Sequence, residues 1–164
     1  MKRPFIIIFV LASFITLGQT TKTQREGQPD IYNINDEDKE MNEAIKKSRQ
    51  TFDSFLTAFK SQKRNQTNFS VKMPFPTKDG LEHIWLVNIE SKDGKLLGQV
   101  DNLPDKVTNI KLGDKIEIDQ NKISDWFYLE GDKLIGGLTI RVLRDRMPPA
   151  EKKQFDQEFG VRFD

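Results

Sequence analysis

The strongest pattern in the chain is a set of mainly apolar residues that recur every three or four residues between residues 41 and 59. This is the spacing of one face of a helix. Asn35 or Asp36 is placed to cap such a helix, while Lys60 and Lys63 suit its negatively polarised end. A helix with three phenylalanines on one face needs another layer, so we predict a long amphipathic helix packed on a sheet. Its inner face comprises Met41, Ala44, Ile45, Ser48, Phe52, Phe55, Leu56 and Phe59.

Alternation of apolar and polar residues follows this helix and predicts strands. Residues 69–73 alternate strictly, as in a half-buried strand, whereas residues 81–90 are apolar on both faces, as in a central strand. Asp-Gly pairs at 79–80 and 93–94 predict tight turns, so that residues 95–103 return antiparallel to the central strand.

The second half continues in strands and ends in a helix. We expect residues 115–119 to pair with 122–130 and residues 133–143 to form the last strand. Prolines at 148–149 can open a short C-terminal helix that Gly160 ends. The predicted fold class is α+β: a long N-terminal amphipathic helix packed on a bent antiparallel sheet of about five to six strands, followed by a short C-terminal helix.

The N-terminal residues predict export from the cytoplasm. Two basic residues precede an apolar run at 5–17, and residues 1–18 therefore have the pattern of a signal peptide. The run is shorter than the about 20 residues of a membrane-spanning helix. We expect a periplasmic or secreted protein, and a membrane-bound one only if this segment is retained as an anchor. Residues 19–35 are predicted to be a flexible leader and residues 36–164 a single α+β domain.

Composition narrows the function classes. The chain contains no cysteine, which excludes cysteine-based zinc sites, thiol catalysis and lipoprotein acylation. Loss of Lys2 and Arg3 with the signal leaves 24 basic against 25 acidic residues, a net charge of −1. A nearly neutral exported protein is a poor candidate for nucleic-acid binding. We predict no cofactor.

Two segments carry the candidate functional residues. His83 is the only histidine, which argues against a metal site or a paired-imidazole mechanism, and it shares a strand with Glu82 and Trp85. Asp125 lies in an otherwise apolar strand face, and Trp126 follows it. No nucleophile motif accompanies these residues, so we assign no catalytic residue and no metal ligand. We predict instead that the five residues form a ligand- or partner-binding surface.

Asp125 requires a partner if it is buried, because an unpaired buried charge costs several kcal/mol. Arg141, His83 and the backbone N–H groups of a turn are candidates, unless Asp125 lies at the rim of the sheet. The paired glycines at 136–137 would weaken a strand and therefore indicate a bulge or a close backbone approach.

Several segments together have the pattern of a known bacterial family: Asn42-Glu43-Ala44-Ile45 with Arg49 and Phe55, Val71-Lys72, Glu82-His83-Ile84-Trp85-Leu86, Gly98 with Asn102, Gly113-Asp114, Ile123-Ser124-Asp125-Trp126 with Tyr128, and Gly136-Gly137-Leu138-Thr139 with Arg141. Over residues 36–145 the chain resembles the YegJ-like proteins that carry the domain of unknown function 2314. The resemblance implies a small single-domain protein and supplies no activity. The Asp-Trp and Gly-rich pattern is also similar to domains of bacterial immunity proteins, which implies binding rather than catalysis.

Three functional hypotheses follow. The first is an exported binding or interaction module whose partner is a protein or small ligand of the cell envelope. The second is an immunity-like protein that neutralises a protein toxin. The third is a hydrolase that uses His83 and Asp125, and it requires their side chains within hydrogen-bond reach at a pocket.

Overall fold

The computed structural model describes residues 21–25, 28–33, 38–61 and 63–163. The signal peptide predicted at residues 1–18 lies outside the described residues. Within the predicted leader, strand β1 (Thr21–Arg25) pairs antiparallel with β2 (Gln28–Asn33). None of the helices in the described part of the chain has the length and apolar character to cross a bilayer.

Two consecutive helices, α1 (Lys39–Gln50) and α2 (Phe52–Ser61), occupy the segment predicted as one long helix. They meet at Thr51, whose hydroxyl donates to the carbonyl of Lys47 (2.8 Å). Thr51 has a non-helical backbone conformation (φ −104°, ψ 6°), and α1 ends there. The buried positions keep their three- and four-residue spacing across the break, so the predicted face is confirmed and the predicted continuity is wrong.

The start of α1 is capped by Asp38, and the predicted candidates Asn35 and Asp36 lie outside the described residues. Its carboxylate accepts a hydrogen bond from the backbone N–H of Met41 (3.1 Å). The guanidinium of Arg146 also donates to Asp38 (2.7 Å), and this hydrogen bond holds the pKa of the Asp38 carboxyl below its ordinary value.

A six-stranded antiparallel sheet follows, in the spatial order β6-β5-β4-β3-β7-β8. Its two central strands form a long hairpin through the predicted turn at 79–80, so the central strand is confirmed. The α+β class and the antiparallel sheet are confirmed as well. The strands are β3 (Gln66–Thr77), β4 (Gly80–Lys92), β5 (Lys95–Val100), β6 (Lys115–Glu117), β7 (Asp125–Glu130) and β8 (Lys133–Gly136).

Two predicted strands differ from the structure. Strand β6 pairs with β5 and not with β7, and the backbone N–H of Ile118 continues this pairing by donating to Leu96 (2.8 Å). The last strand ends at Gly136, and helix α3 (Leu138–Asp145) occupies the rest of the segment predicted as a strand. The hydrogen bonds that start α3 come from another part of the chain and are described below.

The core lies between the sheet and helices α1 and α2. A row of register partners, Trp126, Val71, Leu86 and Val100, crosses four strands, and each is at most 5% exposed. Phe55 packs on Trp126 with ring centroids 5.8 Å apart. We call the side of the sheet that carries this row the helix-side face. A one-residue slip of any strand would turn its apolar residues to the other side, so this row fixes the register.

The other side of the sheet, the far face, carries Ser70, Lys72, His83, Trp85 and Phe127. Side chains alternate along a strand and register partners share a face, which assigns these residues from the pairing.

Helix α4 (Pro149–Phe159) ends the fold, and Gly160 stops it in a left-handed conformation (φ +67°), as predicted. Arg144 of α3 ties α4 through a bidentate ion pair to Asp156 (2.7 Å for the longer contact). The ring of Phe159 lies 6.4 Å from that of Phe127, so the end of α4 reaches the far face.

Candidate functional site

Asp125 is fully buried at the start of β7 and accepts five hydrogen bonds. One oxygen accepts from the Ser48 hydroxyl (3.0 Å) and from the backbone N–H groups of Trp126 (2.8 Å) and Leu138 (3.1 Å). The other accepts from the backbone N–H (2.8 Å) and hydroxyl (2.6 Å) of Thr139. Of the partners predicted for this carboxylate, the backbone N–H groups of a turn are those observed.

These hydrogen bonds make Asp125 the cap of α3. The residue in the capping position is Gly137, which has no side chain and a positive φ of +63°. A carboxylate at a helix N-terminus satisfies free N–H groups and interacts favourably with the helix dipole. Since Ser48 belongs to α1, Asp125 joins α1, α3 and β7 at one buried point.

Trp126 is also a core residue. It is 5% exposed, and its indole N–H donates to the carbonyl of Ser48 (2.9 Å). Its ring packs between Phe55 and Tyr128, at centroid distances of 5.8 and 6.3 Å. The side chain therefore contributes to packing on the helix-side face and not to an exposed aromatic surface.

Glu82 anchors a loop. Its two carboxylate oxygens accept from three consecutive backbone N–H groups, those of Asp105 (2.7 Å), Lys106 (2.8 Å) and Val107 (2.9 Å). The segment between β5 and β6 is thereby fixed to β4. These contacts account for a carboxylate at this position without a ligand.

His83 and Trp85 lie on the far face, half-buried. The Trp85 ring stands edge-on to Phe127, with centroids 5.0 Å apart. Glu82 and Trp126 have the strand parity of the helix-side face, so the five predicted residues do not form one continuous surface. Asp125 pairs in register with Lys72 of the far face, but its carboxylate bonds to Ser48 of α1. Of the five, His83 and Trp85 are therefore the ones whose side chains the structure brings together on the far face.

Lys72 is the functional candidate that the sequence pattern missed. It is half-buried on β3, and its ammonium lies 5.4 Å from the centroid of the Trp85 ring. Burial lowers the pKa of this amine, and the negative charge of Asp125 opposes the shift. In a strictly alternating strand Lys72 has the pattern of a solvent-facing residue, so no local signal in the sequence marks it as a functional candidate.

A cleft opens where β3 and β4 separate. The two strands pair from Thr77 and Gly80 as far as Val71 and Leu86; beyond these residues β3 pairs only with β7, and β4 only with β5. The resulting cleft has a volume of about 490 Å³.

Two asparagines mark the separation. Asn68 (φ +54°) and Asn88 (φ +48°) adopt left-handed backbone conformations at the shifts in register of β3 and β4. Asparagine tolerates this conformation better than most residues. Both line the cleft, so the same two residues bend the strands and contribute polar groups to the cavity.

Both apolar and polar side chains line the cleft. Eight of its twelve lining residues are apolar, among them Phe127, Phe159 and Val87, and the polar ones include Ser70 and Asp101. The volume lies within the range of sites for small organic ligands.

A second depression, of about 410 Å³, runs along α2 and ends at Tyr128. It is lined mainly by short polar side chains such as Ser54, Thr57 and Ser61. Burial, together with the charge of Glu130, raises the pKa of the Tyr128 hydroxyl. Among the residues described, no three acidic or histidine side chains are grouped to hold a metal ion.

Comparison with known proteins identifies relatives in two bacteria. The chain is 36% identical over 111 residues to the uncharacterized protein YegJ of Escherichia coli (strain K12), covering 68% of this chain and 71% of YegJ. It is 29% identical over 145 residues to a putative ankyrin repeat protein of Neisseria meningitidis serogroup B. That alignment covers 84% of this chain and 57% of the length of the Neisseria protein. No solved structure matches the chain.

The family match covers most of the described fold. Residues 38–163, from the cap of α1 to the residues that follow α4, match the family described as "Uncharacterized protein conserved in bacteria (DUF2314)". The chain belongs to this DUF2314 family, as the resemblance in its sequence pattern predicts.

Proposed function

We propose that the protein is an exported binding module and that its ligand site is the cleft between β3 and β4. The observation that supports this proposal is the separation of two central strands, which creates a cavity of about 490 Å³ inside an otherwise continuous sheet. Strand separation exposes apolar side chains that pairing would cover, and a ligand would compensate that exposure. Export rests on the N-terminal sequence pattern alone.

The hydrogen bonds of Asp125 argue against the hydrolase alternative. Both of its oxygens are occupied by donors of the protein, so it has no position free for a substrate or a water. His83 pairs in register with Pro74, whereas Asp125 pairs with Lys72, two residues along β3. Strand spacing and rise then put the Cα atoms of His83 and Asp125 roughly 12 Å apart.

The immunity-like alternative would require a protein-binding patch on the surface. Leu81 (62% exposed) and Leu103 (49% exposed) are the residues that favour it. Leu103 precedes the loop that Glu82 fixes to β4, so both leucines lie near the same end of that strand. This alternative places the contact at the end of β4 away from the cleft.

A cleft-filling substitution tests the main proposal, and a substitution at the exposed Leu81 is its control. Val87 lines the cleft and is half-buried, so Val87→Trp would place an indole in the cavity without removing a core contact. Leu81→Trp adds the same indole at an exposed position of the same strand and serves as the control. The probe is the neutral dye N-phenyl-naphthylamine, whose fluorescence increases in apolar sites, added to the full-length protein.

We expect saturable binding to the native protein and at least about tenfold weaker binding to Val87→Trp. Leu81→Trp should bind as the native protein does. Absence of saturable binding to the native protein, or equal affinities for Val87→Trp and Leu81→Trp, would refute the cleft as the ligand site.

A further inference from the structure

Lys72 has an unusual environment for a charged residue. Its side chain is half-buried on the far face, and the described residues provide no hydrogen-bond acceptor and no ion-pair partner for its ammonium. Lysine is rarely buried in proteins unless it is paired. No buried side-chain nitrogen of the described residues lacks a partner, so the amine must reach solvent.

The neighbouring charges form no ion pair with this ammonium, and Asp125 acts on it only through its charge. Asp125 is the register partner of Lys72, but its two oxygens are taken by donors of α1, α3 and β7. On the other side, Trp85 separates Lys72 from β5, where Asp101 follows the last strand residue. The contact recorded for the ammonium is the face of the Trp85 ring.

Aromatic contacts connect this amine to the cleft. The ring of Trp85, beneath the Lys72 ammonium, touches Phe127, and Phe127 lines the cavity. Ser70, another lining residue, is two positions before Lys72 on the same strand face. The Cα atoms of Ser70 and Lys72 are therefore roughly 6.6 Å apart, within the reach of a lysine side chain.

We propose that Lys72 binds the anionic head group of a small amphiphilic acid whose apolar body occupies the cleft. The inference rests on the proposed ligand site and adds the chemical class of the ligand. An ammonium offers three N–H donors, and charge-assisted hydrogen bonds to a carboxylate, sulfonate or phosphate are stronger than neutral ones. Partial burial strengthens the attraction further, because the effective dielectric is lower than that of water.

The experiment compares two dyes that differ by one anionic group. Anilinonaphthalene sulfonate has the body of N-phenyl-naphthylamine with a sulfonate added. Both are titrated against the native full-length protein, Lys72→Met and Lys78→Met. Methionine keeps an unbranched apolar side chain at residue 72, and Lys78 is an exposed lysine of the turn before β4, so each variant loses one positive charge.

We expect the native protein to bind the sulfonate dye about tenfold more tightly than the neutral dye. Lys72→Met should lose this preference and keep its affinity for the neutral dye within about twofold, whereas Lys78→Met should retain the preference. Lys72→Arg keeps the charge and should retain a preference for the sulfonate. Circular dichroism checks the fold of each variant, and Lys72→Gln replaces Lys72→Met if the latter does not fold.

Each other outcome has a definite meaning. If the native protein binds the neutral dye but does not prefer the sulfonate, the role of Lys72 is wrong while the ligand site stands. The same holds if Lys72→Met keeps the preference or if Lys78→Met loses it equally. Failure of the native protein to bind either dye would refute the ligand site and, with it, the inference about Lys72.

Discussion

Asp125 on β7 and Lys72 on β3 occupy paired positions of one sheet and carry opposite charges. The carboxylate is fully buried and accepts five hydrogen bonds, whereas the ammonium, half-buried, has only a ring contact among the described residues. Burial of a charge is costly unless hydrogen bonds compensate it. The hydrogen bonds of Asp125 therefore explain its charge through the fold, whereas the fold does not explain the position of the Lys72 charge.

The surroundings of Asp125 and Lys72 also differ: donors of the protein surround Asp125, whereas a cleft lies beyond Lys72. Around Asp125, three elements meet, and each contributes a donor. Beyond Lys72, β3 and β4 separate and leave a cleft. The Asp125 site is thus complete without a ligand, whereas the site that we propose beside Lys72, on the adjacent strand, would be completed by one. Substitutions at the two positions should have opposite effects on stability and on binding.

The largest effect is expected for Asp125→Ala. The substitution leaves buried donors of Ser48, Leu138 and Thr139 without an acceptor and removes the cap of α3. We expect a loss of about 3–5 kcal/mol in the free energy of unfolding. Urea denaturation followed by circular dichroism measures it.

Ser48→Ala is the matched control, because it removes one of the five hydrogen bonds and leaves the others. We expect it to cost about 1–2 kcal/mol. An unchanged stability of Asp125→Ala together with weaker dye binding would contradict the structural role and make Asp125 a contact residue.

The capping of α3 also explains where sequence reasoning failed. Leu138, Ile140 and Val142 alternate with polar neighbours, which is the pattern of a strand, and no local residue marks a helix start. The helix begins there because Asp125, from a different strand, accepts from its first N–H groups. Such a cap is a tertiary contact and leaves no local signal.

The sequence predicts turns and helix ends correctly where one residue or a pair of residues determines the backbone conformation. The Asp-Gly turns at 79–80 and 93–94 and the helix stop at Gly160 are where the sequence predicts them. The partner of β6 was wrong because strand pairing depends on contacts distant in sequence. The candidate site also depends on contacts distant in sequence. Lys72 is one of the alternating polar residues of its strand, and the register shifts at Asn68 and Asn88 have no recognised sequence signal.

The next largest effect is expected for Gly136→Ala. A Cβ atom there would lie 2.3 Å from the backbone oxygen of Trp126 and 2.7 Å from its ring, and φ is +81°. Steric overlap and left-handed strain together should cost about 2–4 kcal/mol. Thermal and urea unfolding would measure this loss. The clash partner is Trp126, the residue that follows Asp125.

Gly94→Ala separates the effect of steric overlap from the effect of left-handed backbone strain. Gly94 has a similar φ of +77°, but a Cβ atom there meets nothing within 4 Å. The control should therefore cost only the strain, about 1–2 kcal/mol. Equal losses for Gly136→Ala and Gly94→Ala would mean that the close approach to Trp126 does not matter for stability.

The smallest effect on stability is expected for Lys72→Met. No hydrogen bond or ion pair to a described residue is lost, and burial disfavours the charge that the substitution removes. Methionine keeps an unbranched apolar side chain at this half-buried position and removes a partly desolvated charge. The midpoint of thermal unfolding should therefore stay the same or rise, with a gain of up to about 1 kcal/mol. A loss of more than about 1 kcal/mol would instead show that the Lys72 charge supports Asp125 in the fold, and the contrast between the two residues would disappear.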